Sequence, residues 1–219
     1  MVCSARGWKH VGILILGVVF WCVIIPLSGA VAEDHEFSVH IWGSVSPFMS
    51  GGAGKGSGSP DYYQAFREGW GGAIELERRF SGRISLLGGI GYEEFSGETY
   101  EHFEFDDLDV VPIYLGFKFH LFPSNEKLDS YLRADVGMAH LSAVDVKYSR
   151  EGLKGRYWDS SWASMFAVGI GAEYRFGRFG IEGEVKVRRI GAPDSSLGDA
   201  SDAGEFWTVP VRVGLVYHF

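Results

Sequence analysis

Residue types that could perform chemistry are concentrated in two places near the middle of the chain. In the first, His140 and Ser142 stand two positions apart, and Asp145 and Glu151 are the nearest acids that follow. A serine nucleophile needs an adjacent base, and that base needs an acid to orient it. Residue types alone do not establish this geometry, so we expect no catalytic residue and no enzymatic activity.

The second place is the stretch from Glu93 to Asp109, which contains eight acids and no Lys or Arg. Carboxylate oxygens are the ligands that hard divalent cations prefer. The spacing matches no defined calcium-binding loop, however, and runs of like charge are usually solvated. A solvated acidic loop is the interpretation we favour, and cation binding by residues 93–109 stays open. We expect no cofactor and no defined metal site.

The N-terminal segment differs from everything that follows it. Two basic residues precede an almost wholly apolar run, residues 11–27, and Ala30-Val31-Ala32 then supplies the small residues that a signal peptidase accepts. This pattern predicts a cleavable signal peptide over residues 1–32 and one domain over residues 33–219. The alternative is an uncleaved helical anchor, because a run of this length is near the lower limit for spanning a bilayer.

Cysteine content and charge narrow the class of protein further. Both cysteines, Cys3 and Cys22, lie in the predicted signal peptide, so the mature chain would form no disulfide. Its removal would leave 18 basic residues against 28 acidic ones, a net charge of about −10 with His neutral. Nucleic acid is therefore excluded as an expected partner.

Beyond residue 32 the dominant pattern is the alternation of apolar residues with small or polar ones. It is clearest from Val209 to Phe219, where every odd position is apolar. A period of two indicates a strand with one apolar face. The same pattern predicts eight strands, at residues 37–49, 68–79, 83–95, 109–121, 128–140, 164–176, 179–190 and 207–219.

The lengths of the strands and connectors indicate how these strands are arranged. Tilted strands of about a dozen residues match the thickness of an outer membrane. The connectors alternate between short ones (residues 80–82, 122–127 and 177–178) and long ones (residues 50–67, 96–108, 141–163 and 191–206). We therefore expect an all-β fold, an eight-stranded antiparallel transmembrane up-and-down barrel with short periplasmic turns and long external loops.

The strand positions that alternate with the apolar ones carry six acids and six bases. A Lys or Arg that faced the acyl chains at mid-membrane would cost about 2–4 kcal/mol, so these side chains must point into the barrel. Unpaired charges would be costly there as well, so near-equal numbers predict a mutually neutralising plug, with a wetter cavity nearer the long loops. The predicted lumen network is Glu75, Glu77, Lys118, Arg133, Asp135, Glu173, Arg175, Glu182, Glu184, Lys186, Arg188 and Arg212.

The end of the chain and the glycine-punctuated strands carry a family resemblance. The last strand closes on Tyr217-His218-Phe219, and glycines recur in segments such as residues 87–92 and 168–174. Over residues 33–219 these features resemble the OmpA-type and opacity-protein barrels of the Gram-negative outer membrane. The resemblance implies that Tyr217 and Phe219 form the signal read by the barrel assembly machinery, and that outer-membrane lipid and lipopolysaccharide surround the protein. In contrast to the full-length OmpA type, we expect no peptidoglycan-binding domain after the barrel segment, and we expect the barrel to act alone.

This resemblance leaves the role of the barrel open, because the family includes anchors, adhesins, channels and lipid-modifying enzymes. We expect a structural or surface-binding role through the external loops. A narrow channel for small solutes is one alternative. Modification of lipid A is another, since His140-Leu141-Ser142 resembles the His-x-Ser pair of the outer-membrane lipid A deacylases.

The third long connector combines basic and aromatic residues, a mixture that suits two roles. It could contact glycolipid phosphates and sugars, or it could pack its own aromatic rings over the barrel mouth. The residues concerned are Lys147, Tyr148, Arg150, Lys154, Arg156, Tyr157, Trp158 and Trp162.

Overall fold

The computed structural model of the chain describes residues 37–55, 58–122, 127–148, 153–196 and 202–219. The predicted signal peptide, Arg150 and Glu151 lie outside these ranges. Within them, no helix has the length and apolar character needed to cross a membrane.

The described residues form mostly strands and one short helix. In chain order they are β1 (Phe37–Ser46), β2 (Phe48–Ser50), α1 (Tyr62–Ala65), β3 (Phe66–Ser81), β4 (Ile84–Gly97), β5 (Thr99–Tyr100), β6 (Phe103–Phe105), β7 (Leu108–His120), β8 (Leu128–Leu141), β9 (Val144–Tyr148), β10 (Leu153–Asp159), β11 (Ser161–Phe176), β12 (Phe179–Ile190), β13 (Asp194–Ser195), β14 (Phe206–Thr208) and β15 (Val211–His218).

Eight of these strands close into an antiparallel barrel. Each pairs with its neighbours in the order β1, β3, β4, β7, β8, β11, β12 and β15, and β15 pairs back with β1. At this seam Val39 lies opposite Tyr217 and Val45 lies opposite Val211. The short strands β2 and β14 continue the first and last barrel strands at the loop end, beyond breaks at prolines. The predicted eight-stranded up-and-down fold is confirmed.

The outer surface of the barrel is apolar. Alternating side chains point away from the interior, and the large ones stay exposed: Val136 is 63% exposed, Val213 is 64% exposed and Leu215 is 62% exposed. A soluble monomer rarely exposes so large a continuous apolar surface, whereas lipid covers it in a membrane. Exposed aromatic residues mark both ends of this surface, Phe80, Phe176, Phe179 and Phe219 near the short turns and Trp70 and Tyr92 near the long loops.

The long connectors form a second sheet that the sequence pattern did not reveal. Its five strands lie in the order β13, β10, β9, β6 and β5, so three different connectors contribute to this external sheet. On its inner face Val144, Val146 and Phe105 are buried, and so are Tyr157 and Trp158 of β10. The third connector therefore packs Tyr157 and Trp158 over the barrel mouth, whereas Trp162 is 46% exposed.

An aromatic core fills that mouth, and the expectation of a wetter cavity there is wrong. The rings of Phe48 and Phe95 lie 4.7 Å apart, and Trp158 lies 5.5 Å from Tyr62 and 5.6 Å from Phe66. Burial raises the pKa of Tyr62 well above its usual range. The mouth core comprises mainly Phe48, Tyr62, Phe66, Phe95, Phe105, Leu108, Leu141, Tyr157, Trp158, Ile190 and Phe206.

The small residues of the inner face explain how this core fits. A Cβ atom on Gly69 would lie 2.7 Å from the ring of Phe95, so a larger residue would displace the ring. Small inner-face residues thus leave space that aromatic rings fill rather than water. A cavity of about 10 Å³, room for roughly one water molecule, lies below this core beside Arg188 and Arg212.

Candidate functional site

The centre of the barrel interior is organised around the guanidinium of Arg133. Its two terminal nitrogens donate to the Glu75 carboxylate at 2.9 and 3.0 Å, and its Nε donates to Asp135 at 2.7 Å. A further contact joins Nη1 to Glu184 at 3.2 Å. The Arg133 side chain and all three carboxylates are fully enclosed. One cation therefore links residues of β3, β8 and β12 across the lumen.

Two further cations complete this central layer. Arg212 of β15 lies 2.9 Å from both Glu75 and Glu184, and Lys186 lies 2.9 Å from Asp135. The Arg212 guanidinium also stacks on Trp42, 4.0 Å from the centre of its ring. Three acids and three bases thus meet, which satisfies the requirement that buried charges be paired.

Tyrosine hydroxyl groups add hydrogen bonds to the same carboxylates. Tyr114 donates to Glu75 at 2.6 Å, and Tyr131 donates to Glu184 at 3.1 Å. Both rings are buried inside the barrel. They occupy the space between charged side chains, so this layer is tightly filled.

A second layer, nearer the periplasmic turns, is centred on Lys118. Its ammonium group lies 2.8 Å from Glu77 and 2.7 Å from Glu182. The ring of His40 bridges the same two carboxylates, at 2.7 Å from Glu182 and 3.2 Å from Glu77. The four side chains form a closed ring of alternating acid and base.

Two clusters lie at the periplasmic end of the interior. In one, His120 Nδ1 lies 2.8 Å from Asp129, which Arg79 also contacts. In the other, Glu173 lies 2.7 Å from His218 and 3.5 Å from Arg175. These clusters continue the ion pairs to the periplasmic edge of the barrel. Together they comprise Arg79, His120, Asp129, Glu173, Arg175 and His218.

One bidentate pair lies on the loop side of the central layer. Arg188 contacts both oxygens of Glu93, at 2.8 and 2.6 Å, and its Nε donates to Thr208 at 3.1 Å. Glu93 was assigned to the acidic loop in the sequence, but it lies within β4 and points into the barrel. The mouth core begins above this pair.

The structure places the twelve residues of the predicted lumen network together inside the barrel. All are buried except Arg175, whose side chain is 23% exposed. Sequence reasoning missed Glu93, Arg79, Asp129, three histidines and three aromatic residues that share these contacts. The parity of the strands would have located each of them: Trp42, Tyr114, Tyr131, His40, His120 and His218.

This arrangement fills much of the interior with side chains. Among the described residues, paired charges occupy successive layers of the lumen, and the mouth core covers their loop side. In a barrel this narrow, paired charged side chains fill the interior. Barrels that enclose a wide aqueous pore have more strands.

The two places singled out for chemistry are arranged differently from a catalytic or metal site. The His140 ring meets Ser160 at 2.8 Å, whereas the Ser142 hydroxyl oxygen accepts a hydrogen bond from the Asp109 backbone at 2.8 Å. Among the described residues, no group of three or more His, Cys, Asp and Glu side chains is placed to hold a metal ion. His140 and Ser142 are therefore not brought together as nucleophile and base.

The external sheet carries an exposed apolar row at its far end. Phe103 of β6, Tyr148 of β9 and Leu153 of β10 lie side by side in register, and the rings of Phe103 and Tyr148 are 5.5 Å apart. Phe103 is 42% exposed and Leu153 is 63% exposed. On the opposite face, Lys147 lies 3.5 Å from Glu104. The row extends beyond the mouth core, where the same face is buried.

Comparison with known proteins identifies the fold. No family model matches the chain, and no curated protein matches it in sequence. Among solved structures, the outer membrane protein OprG from Pseudomonas aeruginosa is similar with a TM-score of 0.56 and 13% identity, over 84% of this chain and 95% of that chain. Ail, the attachment invasion locus protein of Yersinia pestis, is similar with a TM-score of 0.53 and 16% identity, over 85% of this chain and 100% of that chain.

A third structure agrees with these two. A major outer membrane protein from Thermus thermophilus has a TM-score of 0.53 and 12% identity, over 85% of this chain and 100% of that chain. At such identities the likeness establishes the fold and not the activity. Together with the closed strand order and the apolar outer surface, it shows that this chain is an integral outer-membrane β-barrel with the small eight-stranded fold of these solved structures.

Proposed function

We propose that this chain is a non-conducting outer-membrane barrel that binds an external partner through its projecting sheet. The observation that carries the proposal is the filled interior, in which Arg133, Arg212 and Lys118 pair with carboxylates across the lumen. Solutes would have to break these pairs and displace the mouth core in order to pass. We therefore assign the function of the protein to the surface of its external loops.

The apolar row is the part of that surface best suited to binding. Large exposed apolar side chains in a soluble region are typical of interaction sites, and aromatic residues supply much of the energy of protein interfaces. Phe103 and Leu153 flank Tyr148 on a sheet whose other face is charged. This combination supports contact with a protein surface or an apolar part of a glycan.

Recordings in planar lipid bilayers test the closed interior. The purified, folded barrel is expected to give no steady conductance, and a porin inserted in the same membrane is the control. Steady conductance that charge changes at Arg133 or Glu184 abolish would support the channel alternative and contradict the proposal.

Binding through the sheet is tested with the barrel in nanodiscs. Wild type and the double variant Phe103→Ser, Leu153→Ser are compared by interferometry against a panel of extracellular proteins and glycans. We expect saturable binding to at least one probe, weakened about tenfold or more in the variant, because buried aromatic and aliphatic contacts dominate interfaces. Lys55→Ser, on a different connector, is the matched control. Equal binding by wild type and the double variant would contradict the role of the row.

We also propose that the barrel is not an enzyme acting on lipid A. Support comes from the separate partners of His140 and Ser142, since a nucleophile and its base must share a hydrogen bond. Mass spectrometry of lipid A from cells expressing wild type or Ser142→Ala tests this. An acyl pattern that changes with wild type and not with the variant would overturn it.

A further inference from the structure

A basic side chain stands on the lipid-facing surface of the barrel near the periplasmic turns. Arg78 of β3 shares the outward parity of Ile74 and Leu76, which are 56% and 40% exposed. It lies two residues before Phe80, at the level where exposed aromatic rings mark the edge of the apolar surface. The cost of a lipid-facing cation falls near the interface, and a long side chain can extend to the headgroups.

Two aromatic rings hold the guanidinium of Arg78 in place. Its Cζ atom lies 5.3 Å from the centre of the Phe37 ring and 4.9 Å from that of Phe80. Phe37 is also the register partner of Arg78 on β1. These cation–π contacts orient the group but satisfy none of its N–H donors.

The hydrogen-bond donors of Arg78 find no acceptor among the described residues. Its buried Nε has no hydrogen-bond partner, and no carboxylate in that part of the chain lies within ion-pair distance of it. Two basic residues at the loop rim differ, since Arg189 pairs with Glu205 and Arg67 pairs with Glu98. An oriented cation without a carboxylate is a site prepared for an external anion.

We propose that Arg78 binds the phosphate of an anionic phospholipid in the inner leaflet of the outer membrane. A guanidinium matches phosphate oxygens with two parallel hydrogen bonds. A zwitterionic headgroup fits less well, because its ammonium group would find no carboxylate beside Arg78 in the described part of the chain. The ligand class is thus a phosphodiester with uncompensated negative charge, held at one point on the barrel wall.

Native mass spectrometry of the full barrel, folded in neutral detergent, tests this site. The probes are phosphatidylglycerol, phosphatidylethanolamine and inorganic phosphate. Wild type is expected to retain phosphatidylglycerol about tenfold more strongly than phosphatidylethanolamine, because both lipids offer a phosphate to Arg78 but the ammonium group of phosphatidylethanolamine offsets its negative charge. Arg78→Gln should lose that preference, and Arg78→Lys should keep part of it. Arg83→Gln, an exposed arginine at the neighbouring turn, should behave as wild type.

Three results would overturn the proposal. The first is undiminished preference in Arg78→Gln, with heat-modifiable gel mobility showing that the variant is folded. The second is equal retention of the two lipids by wild type. The third is equal occupancy by inorganic phosphate, which would mean a general anion site and not one for lipid.

Discussion

Replacing Arg133 by Met should destabilise the barrel by removing a cation that buried carboxylates share. Arg133 contacts Glu75, Asp135 and Glu184 from a fully enclosed position. Met fills a similar volume without charge, so the variant tests electrostatics more than packing. Three carboxylates would lose a shared cation while remaining buried.

The magnitude follows from what remains around those carboxylates. Removing one partner of a buried ion pair costs about 3–5 kcal/mol. Glu75 and Glu184 would keep Arg212, and Asp135 would keep Lys186, which limits the loss. We therefore expect the free energy of unfolding to fall by about 3 kcal/mol, the lower end of that range. The double variant Arg133→Met, Glu75→Gln should recover about 1 kcal/mol, since it removes one uncompensated charge.

Urea unfolding of the barrel in phospholipid vesicles, followed by tryptophan fluorescence, measures this loss. Arg67→Met is the control, because Arg67 is 69% exposed in its pair with Glu98 and should contribute nothing measurable. A loss below about 1 kcal/mol for Arg133→Met, with an unchanged denaturant slope, would refute the conclusion that the interior depends on this cation.

Three further changes address the wall, the mouth and the strand spacing. Val213→Arg places a charge on a lipid-facing position that is 64% exposed and should cost about 2–4 kcal/mol in the same unfolding assay, so a neutral result would contradict the lipid-facing assignment. Trp158→Ala should remove about 3–5 kcal/mol of packing from the mouth core and speed cleavage of the external loops by added protease, while gel mobility of the barrel stays heat-modifiable. Gly137→Ala should lower the folded fraction, because the new Cβ would lie 2.1 Å from the Ile113 carbonyl oxygen. Gly183→Ala should not, since there is open space around the new methyl group. Equal folded yields of the two variants would argue against so close an approach of the strands at Gly137.

The barrel could be predicted from the sequence because a single physical rule governs its strands. Alternation fixes which side chains share a face, and the cost of a charge in hydrocarbon decides which face points inward. Glu184 and Arg133 could be placed in the lumen on that basis alone, although the distances between them could not. Pairing across a lumen depends on strand register and tilt, which periodicity does not specify.

The mouth core and the external sheet could not be predicted in the same way. Phe105 and Trp158 come from connectors whose hydrophobic residues follow no long period, so nothing in their spacing indicated burial. The small residues of the inner face were interpreted as room for water. In the structure, Gly69 leaves room for the ring of Phe95, because what fills a space depends on tertiary neighbours.

The position of Arg212 on β15 has a consequence for biogenesis. This arginine approaches Glu75 and Glu184 only when the last barrel strand has joined β1 and β12. An intermediate of seven strands would hold the three central carboxylates with only two cations, Arg133 and Lys186, and would leave two strand edges without hydrogen-bond partners. An unpaired charge and unpaired strand edges are both unfavourable in a bilayer. Pairing of β15 with β1 and β12 removes both at once. We therefore expect a barrel that lacks its last strand to be less stable in lipid than the closed barrel.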